Sequence, residues 1–133
     1  MAKETRGVSL DYLSDYYDVL APAERSRIRQ KQIELIGLEE GERVLEVGCG
    51  TGSTALLHAP YVRELLATDF AEGMIGIARE RAAEAGLDNV RFEVASLESL
   101  AGRDERFDVV LALNVLHLVV DLDAALASMV SLL

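Results

Sequence analysis

The stretch Val44-Leu45-Glu46-Val47-Gly48-Cys49-Gly50-Thr51-Gly52 constrains this chain more than any other, because a short apolar strand runs directly into three glycines at alternate positions. Glycine has no Cβ, so a backbone built from it takes left-handed dihedrals and lets a ligand approach the main chain closely. The helix expected to start near Ser53 would aim its unpaired N–H groups at whatever the turn holds. A strand, a ligand-holding loop and a helix are thus predicted in one short segment.

The remaining segments extend this unit. Val8 to Leu20, with Tyr12, Tyr16 and Tyr17, reads as a short helix or ordered arm, and Pro22 opens a helix from Ala23 to about Ile36 that Gly37 ends. Thr54 to His58 reads as a short helix closed by Pro60, and Glu64 to Thr68 as a strand ending in Asp69. Met74, Ile77, Ala78, Arg81 and Ala82 are helically spaced within Ala71 to Ala85, with Gly86 as the stop. Val90 to Val94 alternates as a third strand should. A link follows, then the apolar run Phe107 to Leu113, the mark of a strand covered on both faces, and a last helix through Leu132 capped by Asp121 or Asp123. Strands alternating with helices predict an α/β fold, Rossmann-like and doubly wound around a mainly parallel sheet, with residues 1–40 as an N-terminal helical segment and 41–133 as the core. Ligands of such sheets bind outside the carboxyl ends of the strands, which selects Gly48 to Gly52, Asp69 to Phe70, Ala95 to Leu97 and Asn114 to His117.

Composition narrows the partners. A length of 133 residues is one domain's worth of chain, and 50% hydrophobic residues without tryptophan suit an aliphatic α/β core. The net charge of −10 argues against nucleic acid, which is bound by Lys and Arg neutralising phosphates. The basic run Arg25 to Lys31 reads as a solvated helix face. The single cysteine allows no internal disulfide, and His58 and His117 belong to no compact ligand cluster, so no metal is expected. The charged start Met1 to Arg6 has no apolar stretch behind it and no apolar run reaches the ~20 residues of a membrane span, so a cytoplasmic protein is expected.

Glycine spacing separates two nucleoside-binding classes. The dinucleotide fingerprint puts glycine at the first, third and sixth positions, and counting from Gly48 the sixth is Ser53. The pattern is instead Glu-x-Gly-x-Gly-x-Gly, and here the chain resembles the class I S-adenosylmethionine-dependent methyltransferases, whose first motif has this form. Asn114-Val115-Leu116-His117-Leu118 is similar to the fourth motif of the small-molecule branch that includes ubiquinone and menaquinone biosynthesis methyltransferases, and the Asn-Pro-Pro-Tyr type of base-modifying members is absent. A nicotinamide dehydrogenase is the disfavoured reading.

The resemblance implies S-adenosyl-L-methionine as cofactor, in-line methyl transfer to a small-molecule acceptor, and a cofactor site made of Glu46, Gly48, Cys49, Gly50, Gly52, Asp69, Phe70, Met74, Ala95, Ser96, Leu97 and Asn114. Asp69 stands where the family's acidic residue binds the ribose; a helix-capping aspartate is the alternative. Glu46 matches the acidic residue near the methionine end, or else only organises the turn by accepting backbone N–H groups. Cys49 is a small loop-packing residue rather than a nucleophile. Phe70 and Met74 would rim the adenine, and Ser96 replaces the aspartate common in the family. The catalytic residue is not identified, with His117 as the candidate base.

Family members continue into three more strands, whereas this chain is expected to truncate the sheet after the fourth. The unpaired apolar edge predicts a homodimer or partner chain covering it, and a binding module without its own activity is the alternative function.

Overall fold

The computed structural model describes residues 22–113, 115–116 and 119–133. The segment expected over Val8 to Leu20 lies outside them, as do Asn114 and His117. In chain order the elements are α1 (Pro22–Ile36), β1 (Arg43–Val47), α2 (Ser53–His58), a 3-10 turn (Ala59–Tyr61), β2 (Glu64–Asp69), α3 (Glu72–Glu84), β3 (Val90–Val94), α4 (Leu97–Ala101), β4 (Val109–Ala112) and α5 (Leu122–Ser131). The four strands form one all-parallel sheet in the order β3-β2-β1-β4, with Val44 of β1 level with Leu65 and Val109.

Side chains alternate across a strand, so each strand feeds two layers. On one face Val44, Leu65, Ala67, Phe92 and Leu111 pack with Ala55 of α2 and with Ile75, Ala78 and Ala82 of α3. On the other, Leu45 and Leu66 pack with Leu100 of α4, with Phe107 and with Leu132 beyond α5. Both Val44 and Leu45 are fully buried, as a strand covered on both faces requires, and each such side chain stabilises the fold by roughly 1.5–3 kcal/mol. β1 therefore lies at the centre of the molecule, and its carboxyl end delivers the glycine run to the sheet's upper edge.

Three local expectations are corrected and one open alternative is decided. The link after β3 contains α4, started by Ser96, whose Oγ accepts the Ser99 N–H at 3.1 Å. The spacing Ser-x-x-Ser was the available signal. Asp121 rather than Asp123 caps α5, accepting the Ala124 N–H at 3.0 Å. β4 is shorter than the apolar run because Phe107 donates its N–H to Leu132 O at 2.8 Å, ahead of the ladder with β1. The buried face of α3 is Ile75, Ala78 and Ala82, while Met74 and Ile77 point to solvent.

Candidate functional site

Asp69, the last residue of β2, organises the loop after β1. Its Oδ2 accepts the Gly50 N–H at 2.9 Å and its Oδ1 accepts the Ala71 N–H at 2.9 Å. Cys49 N–H donates to Thr68 O at 2.9 Å, so the loop is joined to the end of β2 through main chain and side chain together. Ala95, just past β3, donates its N–H to Asp69 O at 3.1 Å. The ends of three strands thus meet at Asp69, through its main chain and its carboxylate, whose oxygens keep lone pairs to spare.

The glycines do different jobs. A Cβ on Gly48 would lie 2.6 Å from Cγ2 of Val115, so the loop and the segment after β4 can approach this closely only with glycine there. Gly50 has φ +56°, and a Cβ on it would meet nothing within 4 Å. Its left-handed backbone faces open space beside Asp69, the shape of a cradle.

Glu46 lies beneath the loop and is 1% exposed. Its Oε1 accepts the Thr54 hydroxyl of α2, while its Oε2 is buried with no partner. Burial pushes its carboxyl up to about 7, against the opposing Thr54 hydrogen bond. The alternative in which Glu46 organises the turn by accepting backbone N–H groups is corrected: it is Asp69 that accepts the loop N–H, of Gly50, while Glu46 accepts a hydroxyl and keeps one oxygen without a partner. Cys49 is buried, and burial followed by the nearby Glu46 and Asp69 charges pushes its thiol up to about 12, so it carries no thiolate at neutral pH.

Phe70 is 77% exposed and Met74 44% exposed, side chains in solvent on the rim beyond Asp69. The Ser96 hydroxyl is engaged in capping α4, and Leu97 packs partly into the core beneath it. Two contributors escaped the sequence reading. Thr54 supplies a hydroxyl to the Glu46 carboxylate, and Arg81 of α3 reaches across to Thr51 O at 3.1 Å, Thr51 Oγ1 at 3.2 Å and Ser53 Oγ at 3.1 Å. An arginine in line with the buried Ala78 and Ala82 was the signal for that brace. Among the described residues no group of His, Cys, Asp and Glu could hold a metal ion.

This arrangement suits a nucleoside with a charged tail. An open glycine cradle and a strand-end carboxylate sit at one side, and the buried Oε2 of Glu46 lies unpartnered beneath the same loop. A family described as a methyltransferase domain matches residues 44–133. The chain belongs to that methyltransferase family. Its fold and motifs are those of the class I S-adenosylmethionine-dependent branch, and S-adenosylmethionine is the cofactor that goes with it.

Among relatives, a ubiquinone biosynthesis O-methyltransferase of Sinorhizobium fredii is 38% identical over 112 residues, covering 77% of this chain and 44% of that protein. A 23S rRNA (uracil(1939)-C(5))-methyltransferase of Alkalilimnicola ehrlichii is 37% identical over 100 residues, covering 74% of this chain and 22% of that protein. The crystal structure of the YcgJ protein of Bacillus subtilis superposes with a TM-score of 0.68 at 33% identity, covering 75% of this chain and 43% of that one. The chain therefore spans less than half the length of these relatives.

Proposed function

We propose that this chain binds S-adenosylmethionine and serves a methyl transfer to a small molecule in the cytoplasm. The observation that carries the reading is the joining of Gly50 to Asp69 beside an open left-handed glycine, at the carboxyl ends of β1 and β2. Asp69 has lone pairs left for two ribose hydroxyls. The rim of Phe70 and Met74 offers apolar surface to a purine, and the main chain of Ala95 to Leu97 offers polar groups to its edge, with Ser96 contributing its hydroxyl. Gly48, Cys49, Gly50 and Gly52 form the floor, and Glu46 faces the ammonium end of the ligand through or beside that floor. Asn114 and His117 keep in this reading the roles that the family resemblance implies, beside the methyl donor and as the base for an acceptor hydroxyl. When bound, S-adenosylmethionine supplies a methyl group on a sulfonium, activated without help from the protein. What this chain adds is orientation and exclusion of water.

A small acceptor is favoured over RNA by the net charge of −10, although one relative is named for an rRNA base. Calorimetric titration with S-adenosylmethionine and S-adenosylhomocysteine tests the binding, and transfer of labelled methyl to a panel of quinol, phenol and RNA acceptors tests the rest. A folded sample that binds neither ligand sinks the reading. Binding without transfer to any acceptor selects the second reading, a cofactor-binding module without turnover of its own.

A further inference from the structure

Among the described residues no cation pairs with the buried Glu46. Its neighbours in register, Ala67 of β2 and Leu111 of β4, are apolar and belong to the core layer that α2 and α3 cover. From α3 that layer receives Ile75, Ala78 and Ala82, while Arg81 is bonded to Thr51 and Ser53. On α2 stand Thr54 and, one turn on, His58, which burial pushes down to about 4, so that it is uncharged at neutral pH. In the loop, the Cys49 thiol feels the charges of both Glu46 and Asp69. Glu46 thus lies close to the glycine floor with no countercharge of its own.

A threonine hydroxyl in a helix commonly bonds the helix's own backbone. That of Thr54 instead reaches across to β1 and donates to Oε1 of Glu46. The bond has two effects. It fixes the terminal torsion of Glu46, which is otherwise broad, so that Oε2 is the oxygen left bare. It also favours the charged carboxylate, opposing the burial that pushes Glu46 up to about 7. A bare buried carboxylate oxygen is costly until a donor reaches it, and a cationic donor satisfies it best.

We propose that Thr54 is a positioning residue for cofactor binding: by holding Oε1 of Glu46 it presents an ionised Oε2 to the ammonium of the ligand's amino-acid tail. This role rests on the S-adenosylmethionine reading above and adds to it the residue that makes the tail recognisable. A bond that only fastened α2 to β1 would leave ligand preference untouched, whereas one that aims Oε2 selects ligands carrying an ammonium. Because the ammonium pairs with the ionised carboxylate, affinity rises with pH as Glu46 loses its proton to solvent. Without the Thr54 hydroxyl that rise moves to higher pH, since the charged form has lost its donor.

The test is calorimetry on the full chain between about pH 5.5 and 8, comparing S-adenosylhomocysteine with its deamino analogue, in which hydrogen replaces the ammonium. The parent should prefer S-adenosylhomocysteine, and increasingly so as pH rises. Thr54→Val should bind S-adenosylhomocysteine about 10-fold more weakly at pH 6, the scale of one hydrogen bond to a charged group, with the loss shrinking toward pH 8. Its affinity for the deamino analogue should stay within about 2-fold of the parent. Thr54→Ser, which keeps the hydroxyl, should restore both the preference and the pH profile. If circular dichroism shows that the branched valine disturbs folding, Thr54→Ala should give the same result. An equal loss for both ligands, a loss that is flat with pH, or no loss overturns the role of Thr54 and leaves the cofactor reading standing. A folded parent that binds neither ligand overturns that reading and this role together.

Discussion

Arg43 and Glu46 belong to the same short strand, and the protein treats their charges in opposite ways. The Arg43 guanidinium bonds Glu64, contacts Glu105 at 3.4 Å and lies 5.5 Å from the centre of the Phe107 ring, while its backbone N–H donates to Asp108 at 2.8 Å. Arg91 joins the same patch through Glu105 at 2.9 Å. At the other end of the strand Glu46 is buried with one hydroxyl partner and one bare oxygen, and beyond it Phe70 stands in solvent. The amino ends of the strands are closed by mutual charge pairing. At the carboxyl ends the buried Oε2 of Glu46 is left without a partner, a feature that costs the free protein stability.

The largest blow to that contrast is expected from Asp69→Ala. Losing the clamp on Gly50 and the proposed ribose acceptor together should weaken S-adenosylmethionine by about 100-fold or more, the scale of two hydrogen bonds to a charged group. Calorimetry would show it. An affinity within a few-fold of the parent would mean that the open end is not organised by this carboxylate.

The second prediction concerns pH. Burial holds Glu46 near 7, above the usual carboxylate range, so the folded chain keeps an extra proton there and stability falls as pH rises from about 4.5 to about 7. His58, 1% exposed with neither ring nitrogen partnered, is pushed by burial down to about 4. For His58 the unfolded chain holds the extra proton, so stability is lost as pH falls from about 6.5 toward 4. The two slopes oppose one another where they overlap and leave the parent nearly flat. Glu46→Gln should uncover a rise in stability from pH 4 to 6.5, and His58→Phe a fall from pH 4.5 to 7, each spanning on the order of 3 kcal/mol at most. Urea titrations across this range would check it, and two variants as flat as the parent would remove the coupling.

A smaller effect is expected at Gly50→Ala. The new Cβ has room, so the cost should be that of a left-handed residue, about 1–2 kcal/mol, seen as a lowered unfolding midpoint. A loss far above that would reveal packing at a place that should be open. Smallest of all, Glu105→Ala at the closed end removes contacts to Arg43, Arg91 and Arg103, yet these are partly exposed pairs. The expected loss is under about 1 kcal/mol and should shrink in high salt.

Much of the molecule was legible before folding. Strand β3 matches its predicted bounds, and α1 and β2 differ from theirs by one residue, because turn residues and apolar periodicity mark such elements locally. Helix α4 was missed because it is a single turn set by one serine cap rather than by a periodic face. The role of Asp69 was half legible: its position at a strand end was evident, but its grip on Gly50 depends on a crossover that lays β2 beside β1. Arg81 and Thr54 could not be assigned, since their partners lie across a helix-to-loop or helix-to-strand contact.

By itself the sequence determined the alternation of strands and helices, the glycine loop and the residues at the strand ends, since these depend on local dihedral preference and on burial pattern. Tertiary structure alone decided which carboxylate clamps the loop and which is left with a bare oxygen. Those outcomes depend on strand order and register, which bring residues distant in the chain to within hydrogen-bonding distance, and no local pattern encodes them.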